Sequence, residues 1–274
     1  MRRRTLLPPG ATALTGALIA SVAAIRSLQH SPDRSLARAK DALNQDRIVK
    51  TLMEGTDHET AIYEVDGSQE GPTAVILGGM HGDEINGYRV AADATNWEID
   101  AGRLIVIPFA NIVAVERNSR RGPDGDLNRL FPGGREPEST LARAIWGVVE
   151  DADPDVVIDL HRSRGLFNTH HRWIGQVVLL TETDGTADIA EDVIDYMNDH
   201  HVPQTMRFHR FTMANIHDTD RDSGLLIQKV HHDLDVPGFL VESTDFLLDL
   251  KTQLRWTTTI TERLLERYGI QRTV

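Results

Sequence analysis

Residues 78–87 read Gly78-Gly79-Met80-His81-Gly82-Asp83-Glu84-Ile85-Asn86-Gly87. An apolar run, Ala74-Val75-Ile76-Leu77, precedes them and has the pattern of a buried strand over Thr73 to Leu77. An amphipathic stretch, Ile85 to Trp97, follows and predicts a helix. His81 and Glu84 therefore sit where a strand hands over to a helix. Three residues apart across a glycine-rich turn, an imidazole and a carboxylate can point at one spot. A divalent cation such as zinc accepts both ligand types, and a catalytic zinc takes three protein ligands and keeps one position for water. The third candidate is in Asp159-Leu160-His161, at the end of the apolar run Val156-Val157-Ile158. Open α/β sheets bind ligands at the carboxyl ends of their strands, where both histidines fall.

The rest of the chain predicts the framework for such a site. Strands are expected over Ala61 to Val65, Leu104 to Ile107, Gln176 to Leu180 and Phe239 to Val241. Helices are expected over Ser139 to Val149, Ala187 to His200 and Leu247 to Tyr268. Their alternation predicts an α/β single domain with a mainly parallel, mixed central sheet. Asp66 to Pro72 reads as a turn. Ser31-Pro32-Asp33 reads as a helix start, and Leu36, Ala39, Leu43, Ile48 and Leu52 give a partial helical stripe that Gly55 ends. The predicted division is a signal or anchor over 1–26, a helical extension over 27–58 and a hydrolase domain over 59–274.

Composition sets limits. There is no cysteine among the 274 residues, so thiolate metal sites, disulfides and cysteine nucleophiles are excluded. The net charge is −12, although the first thirty residues carry Arg2, Arg3, Arg4 and Arg26 and no acid. So acidic a body argues against a nucleic-acid partner, since phosphate binding needs a basic face. Lysine is confined to Lys40, Lys50, Lys229 and Lys251, and an acidic, lysine-poor surface is expected of a protein from a high-salt organism. Adjacent arginines before an uncharged stretch from Leu6 to Ile25 are similar to a twin-arginine export signal. This predicts an exported or cell-surface protein whose membrane contact is confined to the N-terminus; without the signal the protein would be cytoplasmic.

Residues 111–134 lack a long apolar period but hold Arg117, Arg120, Arg121, Asp126, Asn128, Arg129 and Phe131-Pro132-Gly133. An arginine facing a metal site can stabilise an oxyanion or clamp a carboxylate. Arg117 and Arg120 read as solvated side chains. Arg162 and Arg164 follow His161 closely enough to reach a substrate. The pairs His170-His171, His200-His201 and His231-His232 lie in polar, unpatterned surroundings and read as surface or loop residues. Trp97, Trp146 and Trp256 read as core.

The ordered set Gly-Gly-Met-His81-Gly-Asp-Glu84, Pro108-Phe-Ala-Asn111, Arg121, Asp126-Leu-Asn128-Arg129 with Phe131-Pro-Gly133, Asp159-Leu-His161 and Glu242 resembles a known family. It is similar to the aspartoacylase and succinylglutamate desuccinylase branch of the zinc carboxypeptidase-like clan. The resemblance covers roughly Thr73 to Glu242. It implies a three-layer sandwich and one zinc per chain held by His81, Glu84 and His161. It implies Glu242 as general base and acid, Arg121 as the residue polarising the scissile carbonyl, and Asn128 with Arg129 as the grip on a substrate carboxylate. The expected reaction is zinc-dependent hydrolysis of an amide bond in a small N-acyl amino acid. A metallocarboxypeptidase acting on peptide C-termini would use the same residues on a short peptide, and a non-catalytic metal-binding surface protein would keep the fold. Acylases of this family continue beyond that glutamate into a β-rich domain with a tyrosine near the site, whereas Ser243 to Val274 reads mostly as helix and Tyr268 is left without a role.

Overall fold

The computed structural model describes residues 32–167, 169–170, 173–216 and 223–273. The expected signal over 1–26 lies outside these residues. Among the described residues no helix is long and apolar enough to cross a membrane.

Ten strands are described: β1 (Ile48–Leu52), β2 (Thr60–Asp66), β3 (Gln69–Gly78), β4 (Glu98–Ile99), β5 (Ala101–Ile107), β6 (Val156–His161), β7 (Val177–Leu180), β8 (Thr212–Asn215), β9 (Gly238–Glu242) and β10 (Arg272–Thr273). Eight of them form one sheet in the order β1-β2-β5-β3-β6-β9-β7-β8, and β10 pairs with β4. The centre is parallel: β3 lies between β5 and β6, and β6 pairs with β9. The β7–β8 pair is parallel, while β1–β2, β2–β5 and β7–β9 are antiparallel. The sheet is thus mixed with a parallel heart, as expected.

Among the described residues seven α-helices pack around it: α1 (Pro32–Asp41), α2 (Ile85–Ala94), α3 (Ile112–Glu116), α4 (Thr140–Asp151), α5 (Thr186–His200), α6 (Leu226–Leu234) and α7 (Leu250–Arg267). Strand side chains alternate between faces, and here both faces are covered. Ala74, Ile76, Ile158, Leu160, Phe239 and Val241 pack with α2, α5 and α7 through Val90, Ile194, Trp256 and Ile260. Val75, Leu77, Ile105, Ile107 and Val157 pack with α4 and α6 through Ile145, Val149, Leu226 and Val230. The result is three layers, helix–sheet–helix. Polar side chains cap several of the helices: at the start of α4 the Ser139 Oγ accepts from the Ala142 N–H at 3.1 Å, and at the start of α7 Asp249 accepts from the Thr252 N–H at 2.7 Å.

The structure departs from expectation in the first hundred residues. The helical stripe expected through Leu52 stops at Asp41, and residues 48–52 are an edge strand bound to β2. The described part of 27–58 is therefore helical only over 32–41, and its residues 48–52 join the sheet. The turn expected over Asp66 to Pro72 is shorter, because β3 begins at Gln69 beside Ala101. Helix α2 ends at Ala94, before Trp97. The Thr95 hydroxyl folds back onto the Ala92 carbonyl at 2.8 Å, and Trp97 turns into the core beyond it.

Candidate active site

Three parallel strands, β3, β6 and β9, end side by side and set the site. After β3 the chain turns at Gly79, whose φ of +70° is a left-handed value that glycine adopts freely. Gly82 then packs against α3: a Cβ there would lie 1.9 Å from the Ala114 carbonyl oxygen. Only glycine fits, and the fit holds His81 over the sheet edge. Glu84 occupies the N-cap position of α2 but does not cap it. Its carboxylate turns instead towards the histidines. The Nδ1 of His81 lies 2.8 Å from its Oε1, and the Nδ1 of His161 lies 2.7 Å from its Oε2. Arg120 Nη1 donates to Oε1 at 3.1 Å, and the Arg162 backbone N–H donates to Oε2 at 3.0 Å.

The outer nitrogens are also held. His81 Nε2 meets Asp126 Oδ1 at 2.8 Å, and His161 Nε2 meets Asp159 Oδ2 at 2.8 Å. Each imidazole is thus clamped between two carboxylates. Burial disfavours a charged His161, but Asp159 and Glu84 outweigh it and raise its pKa well above the ordinary value. For His81 burial again opposes, and Glu84 and Asp126 raise the pKa despite the neighbouring His161. Burial works against an ionised Glu84, yet the charges and hydrogen bonds of His81 and His161 hold its pKa well below the usual range.

His81, Glu84 and His161 also form a group whose donor atoms all lie within 4.8 Å of one another. This donor set fits a zinc ion: two imidazole nitrogens and a carboxylate, with each outer imidazole nitrogen on a carboxylate, as metal-bound histidines commonly are. Charge fits as well, since a divalent cation replaces two imidazole protons without changing the total.

Glu242 ends β9 and pairs in register with His161. It is buried, and among the described residues its Oε2 has no hydrogen-bond partner. Burial, and then the charge of Glu84, push its carboxyl up to about 8 against the pull of His161, His81 and Arg120. An orphaned, buried carboxyl beside three candidate metal ligands is the kind of group that clusters at functional sites.

These residues line a cleft of about 800 Å³ together with Asn128, Arg129, Arg162, Arg164, Ile174, Leu179, Leu225 and Leu240. Two expectations are revised by it. Arg120, read as solvated, is exposed yet lines the cleft and bonds Asp126 at 3.1 Å, whereas Arg121, also exposed, lies outside it. The Arg121 N–H is turned to the Ser119 hydroxyl, and the Gly122–Gly125 bridge then reverses the chain. Of two adjacent arginines on such a turn only Arg120 lines the cleft, and spacing alone cannot choose between them. Asn128, expected to grip substrate, is buried and engaged internally. Its Oδ1 accepts from the Leu226 N–H at 2.9 Å, capping α6, and its Nδ2 faces His161 and Asp159. Arg129 does line the cleft. Arg162 and Arg164 do too, each tied to Asp83.

Among the described residues the one candidate metal group is His81, Glu84 and His161, so the described members of the histidine pairs build no second centre; His171 lies outside these residues. His200 ends α5 with His201 as its C-cap, and His231 and His232 lie in the last turn of α6 rather than in loops. Trp97, Trp146 and Trp256 are buried, as expected. Tyr268 packs against Phe239, with ring centroids 6.1 Å apart. Asp126 and Asp159 were missed as partners of the histidines. The only trace in sequence is that Asp159 lies two residues before His161, hence on the same face of β6.

Comparison with known proteins shows the family and the fold. Residues 70–219 match the family model described as the succinylglutamate desuccinylase/aspartoacylase catalytic domain. That span holds the triad, Arg120, Asp126, Asn128, Arg129 and Asp159, and stops before Glu242. The N-alpha-acetyl-L-2,4-diaminobutyric acid deacetylase of Halomonas elongata is 37% identical over 100 residues, which is 34% of this chain and 29% of that protein. The fold is similar to that of Helicobacter pylori Csd4, described as a D,L-carboxypeptidase, with a TM-score of 0.65 and 20% identity over 77% of this chain and 55% of the other. It is also similar to a succinylglutamate desuccinylase/aspartoacylase from Rhodobacter sphaeroides, with a TM-score of 0.54 and 19% identity over 78% of this chain and 60% of the other. The chain spans under a third of the curated relative and somewhat over half of these two structures. The family match over residues 70–219 covers more than half of the chain, from β3 to well beyond the third metal-ligand candidate: the chain belongs to the succinylglutamate desuccinylase/aspartoacylase catalytic-domain family.

Proposed function

We propose that this cleft hydrolyses the amide bond of a small N-acyl amino acid bearing a free carboxylate, with one zinc held by His81, Glu84 and His161. Zinc, when bound, polarises the carbonyl as a Lewis acid and lowers the pKa of water from about 15.7 towards 7. The observation that carries the reading is the unpartnered Glu242 Oε2 in the same cleft as the triad. Glu242, with its Oε2 left without a partner among the described residues, can take a proton from the attacking water and hand it to the leaving nitrogen. Arg120 brings a fixed positive charge into the cleft and stabilises the oxyanion that develops as water adds to the carbonyl. Arg129, Arg162 and Arg164 give an acidic protein a basic cleft rim, which suits an anionic substrate. Asp126 and Asp159 orient the two imidazoles from behind.

The test is hydrolysis of a panel of N-acetyl amino acids by the zinc-loaded protein, with amine release as the readout. A metal-bound protein inert on every amide and peptide offered would move a binding role to the front. The rim arginines support a second reading as well, since they would equally clamp the C-terminal carboxylate of a short peptide. Rates on acetyl amino acids and on dipeptides and tripeptides, side by side, separate the two activities.

A further inference from the structure

The cleft has two chemically different ends. Glu242 lies between them. On its β6 side are the histidines, and on its β7 side the wall is aliphatic. Leu240 is two residues before Glu242 on β9 and so shares its face of the sheet. Leu179 is the register partner of Leu240 across the β7–β9 pair, and adjacent partners on one face touch. Leu225, at the N-cap of α6, closes over both in one apolar cluster. Ile174, 40% exposed, extends the same wall outward. Arg120, Arg129, Arg162 and Arg164 come from other segments, after α3 and after β6.

Arg129 stands at the inner end of the aliphatic wall, while Ser163, between Arg162 and Arg164, bonds the Gly175 carbonyl beside Ile174 at its outer end. Arg129 abuts the start of α6: a Cβ on Gly224 would lie 2.3 Å from the Arg129 carbonyl oxygen. Asn128, its neighbour, caps Leu226. The residue that offers a carboxylate grip and the residue that begins the apolar wall are thus held together by backbone contacts. A substrate whose carboxylate meets Arg129 would share the cleft with Leu225, Leu240 and Leu179, which line it too. An acidic side chain there would be desolvated against leucines with no cation among the described wall residues.

We propose that Leu179, Leu225 and Leu240 form a side-chain subsite, and that the amino-acid half of the substrate is aliphatic, of the leucine or valine class, rather than acidic. This rests on the deacylase reading above and sharpens it. A wall of this kind separates a leucine-type substrate from a glycine-type one by about 10-fold or more in kcat/KM, since each methylene in an apolar pocket contributes.

Two arms test it. The first measures kcat/KM of the zinc-loaded protein on N-acetyl-leucine, N-acetyl-glycine and N-acetyl-aspartate. Leucine is expected to lead glycine by about 10-fold and aspartate by more; aspartate equal to or ahead of leucine would overturn the proposal. The second arm needs no turnover. Free leucine and free aspartate are titrated into the protein and followed by leucine-methyl NMR, beside Leu225→Ala and Leu240→Val. Leucine is expected to bind more tightly, to shift wall methyl signals and to weaken in either variant. Equal binding of the two amino acids, or variants without effect, would contradict the subsite. If no amide is hydrolysed but this second pattern is found, the deacylase reading fails and the subsite stands.

Discussion

His161 and Glu242 stand at the same register level on the carboxyl ends of two neighbouring parallel strands. The sheet sets their spacing, so no loop has to find it. Both are buried, yet their polar atoms differ. Both nitrogens of His161 face carboxylates, while Oε2 of Glu242 faces no partner among the described residues. One group is built to stay where it is. The other is left free to exchange a proton.

Replacing that free group should remove chemistry and little else. Glu242→Gln is expected to lower kcat by about 10²–10⁴-fold, the usual worth of a general acid–base group, with zinc content unchanged. Full turnover in the variant would remove Glu242 from the mechanism. Stability of the metal-free protein gives a second readout. The folded pKa of about 8 lies above the unfolded value, so the native state keeps a proton that the unfolded chain releases. This carboxyl's contribution then declines as pH rises from about 4.3 towards about 8. The variant lacks that decline, so its Tm should gain on wild type as pH rises through this window.

Arg120 and Arg121 provide a paired control. Arg120→Ala should lower kcat/KM by about 10²–10³-fold if it stabilises the oxyanion. Arg121→Ala, at an exposed position outside the cleft, should change stability by less than about 0.5 kcal/mol and leave turnover near wild type. Steady-state kinetics on both variants decide the matter, and the reverse order of effects would restore Arg121 to the site.

Asp126 is expected to act through His81. Burial disfavours its charge, but the hydrogen bond and charge of His81, with Arg120 and Arg129, hold its carboxyl well below the usual range. A depressed folded pKa contributes stability above the unfolded value of about 3.9 and loses it as pH falls further. Asp126→Asn should weaken zinc binding by about 10–100-fold, the range seen for second partners of metal-bound histidines. A competition titration against a chelator reads this directly; unchanged affinity would mean that Asp126 is not needed to orient His81.

The metal-free site should exchange protons for zinc. The raised pKa values of His81 and His161 mean that their stabilising contribution is full below about 6.5 and is lost as pH rises through the folded values. Zinc needs both Nδ1 atoms unprotonated, so its affinity should rise with pH as about two protons leave per ion. Calorimetric titration in two buffers of different ionisation enthalpy counts those protons, and a count near zero would contradict the clamped-imidazolium picture.

Much of this was readable in the chain because it is written locally. Val75 to Leu77 and Val156 to Ile158 are apolar on both faces, which is what a central parallel strand requires. Ser139 announces α4 by its cap, and His81-Gly-Asp-Glu84 carries its own turn. What was missed depends on distant partners. Strand β1, Ile-Val-Lys-Thr-Leu, is mostly exposed and is a strand because β2 lies beside it. Helix α6 takes its N-terminal cap from Asn128, ninety-eight residues away. That same engagement is why Asn128, matched by motif to substrate, instead braces His161. Arg120 and Arg121 are adjacent and chemically identical, and only the tertiary turn decides which one enters the cleft.

The claim on which the account rests is that His81, Glu84 and His161 hold one metal ion next to Glu242. Elemental analysis of the folded, zinc-supplied protein, wild type beside His161→Ala, tests it most directly. The account predicts about one zinc per chain in wild type, as expected for a three-ligand site, and none in the folded variant. Equal zinc in both proteins, or none in folded wild type, would contradict it.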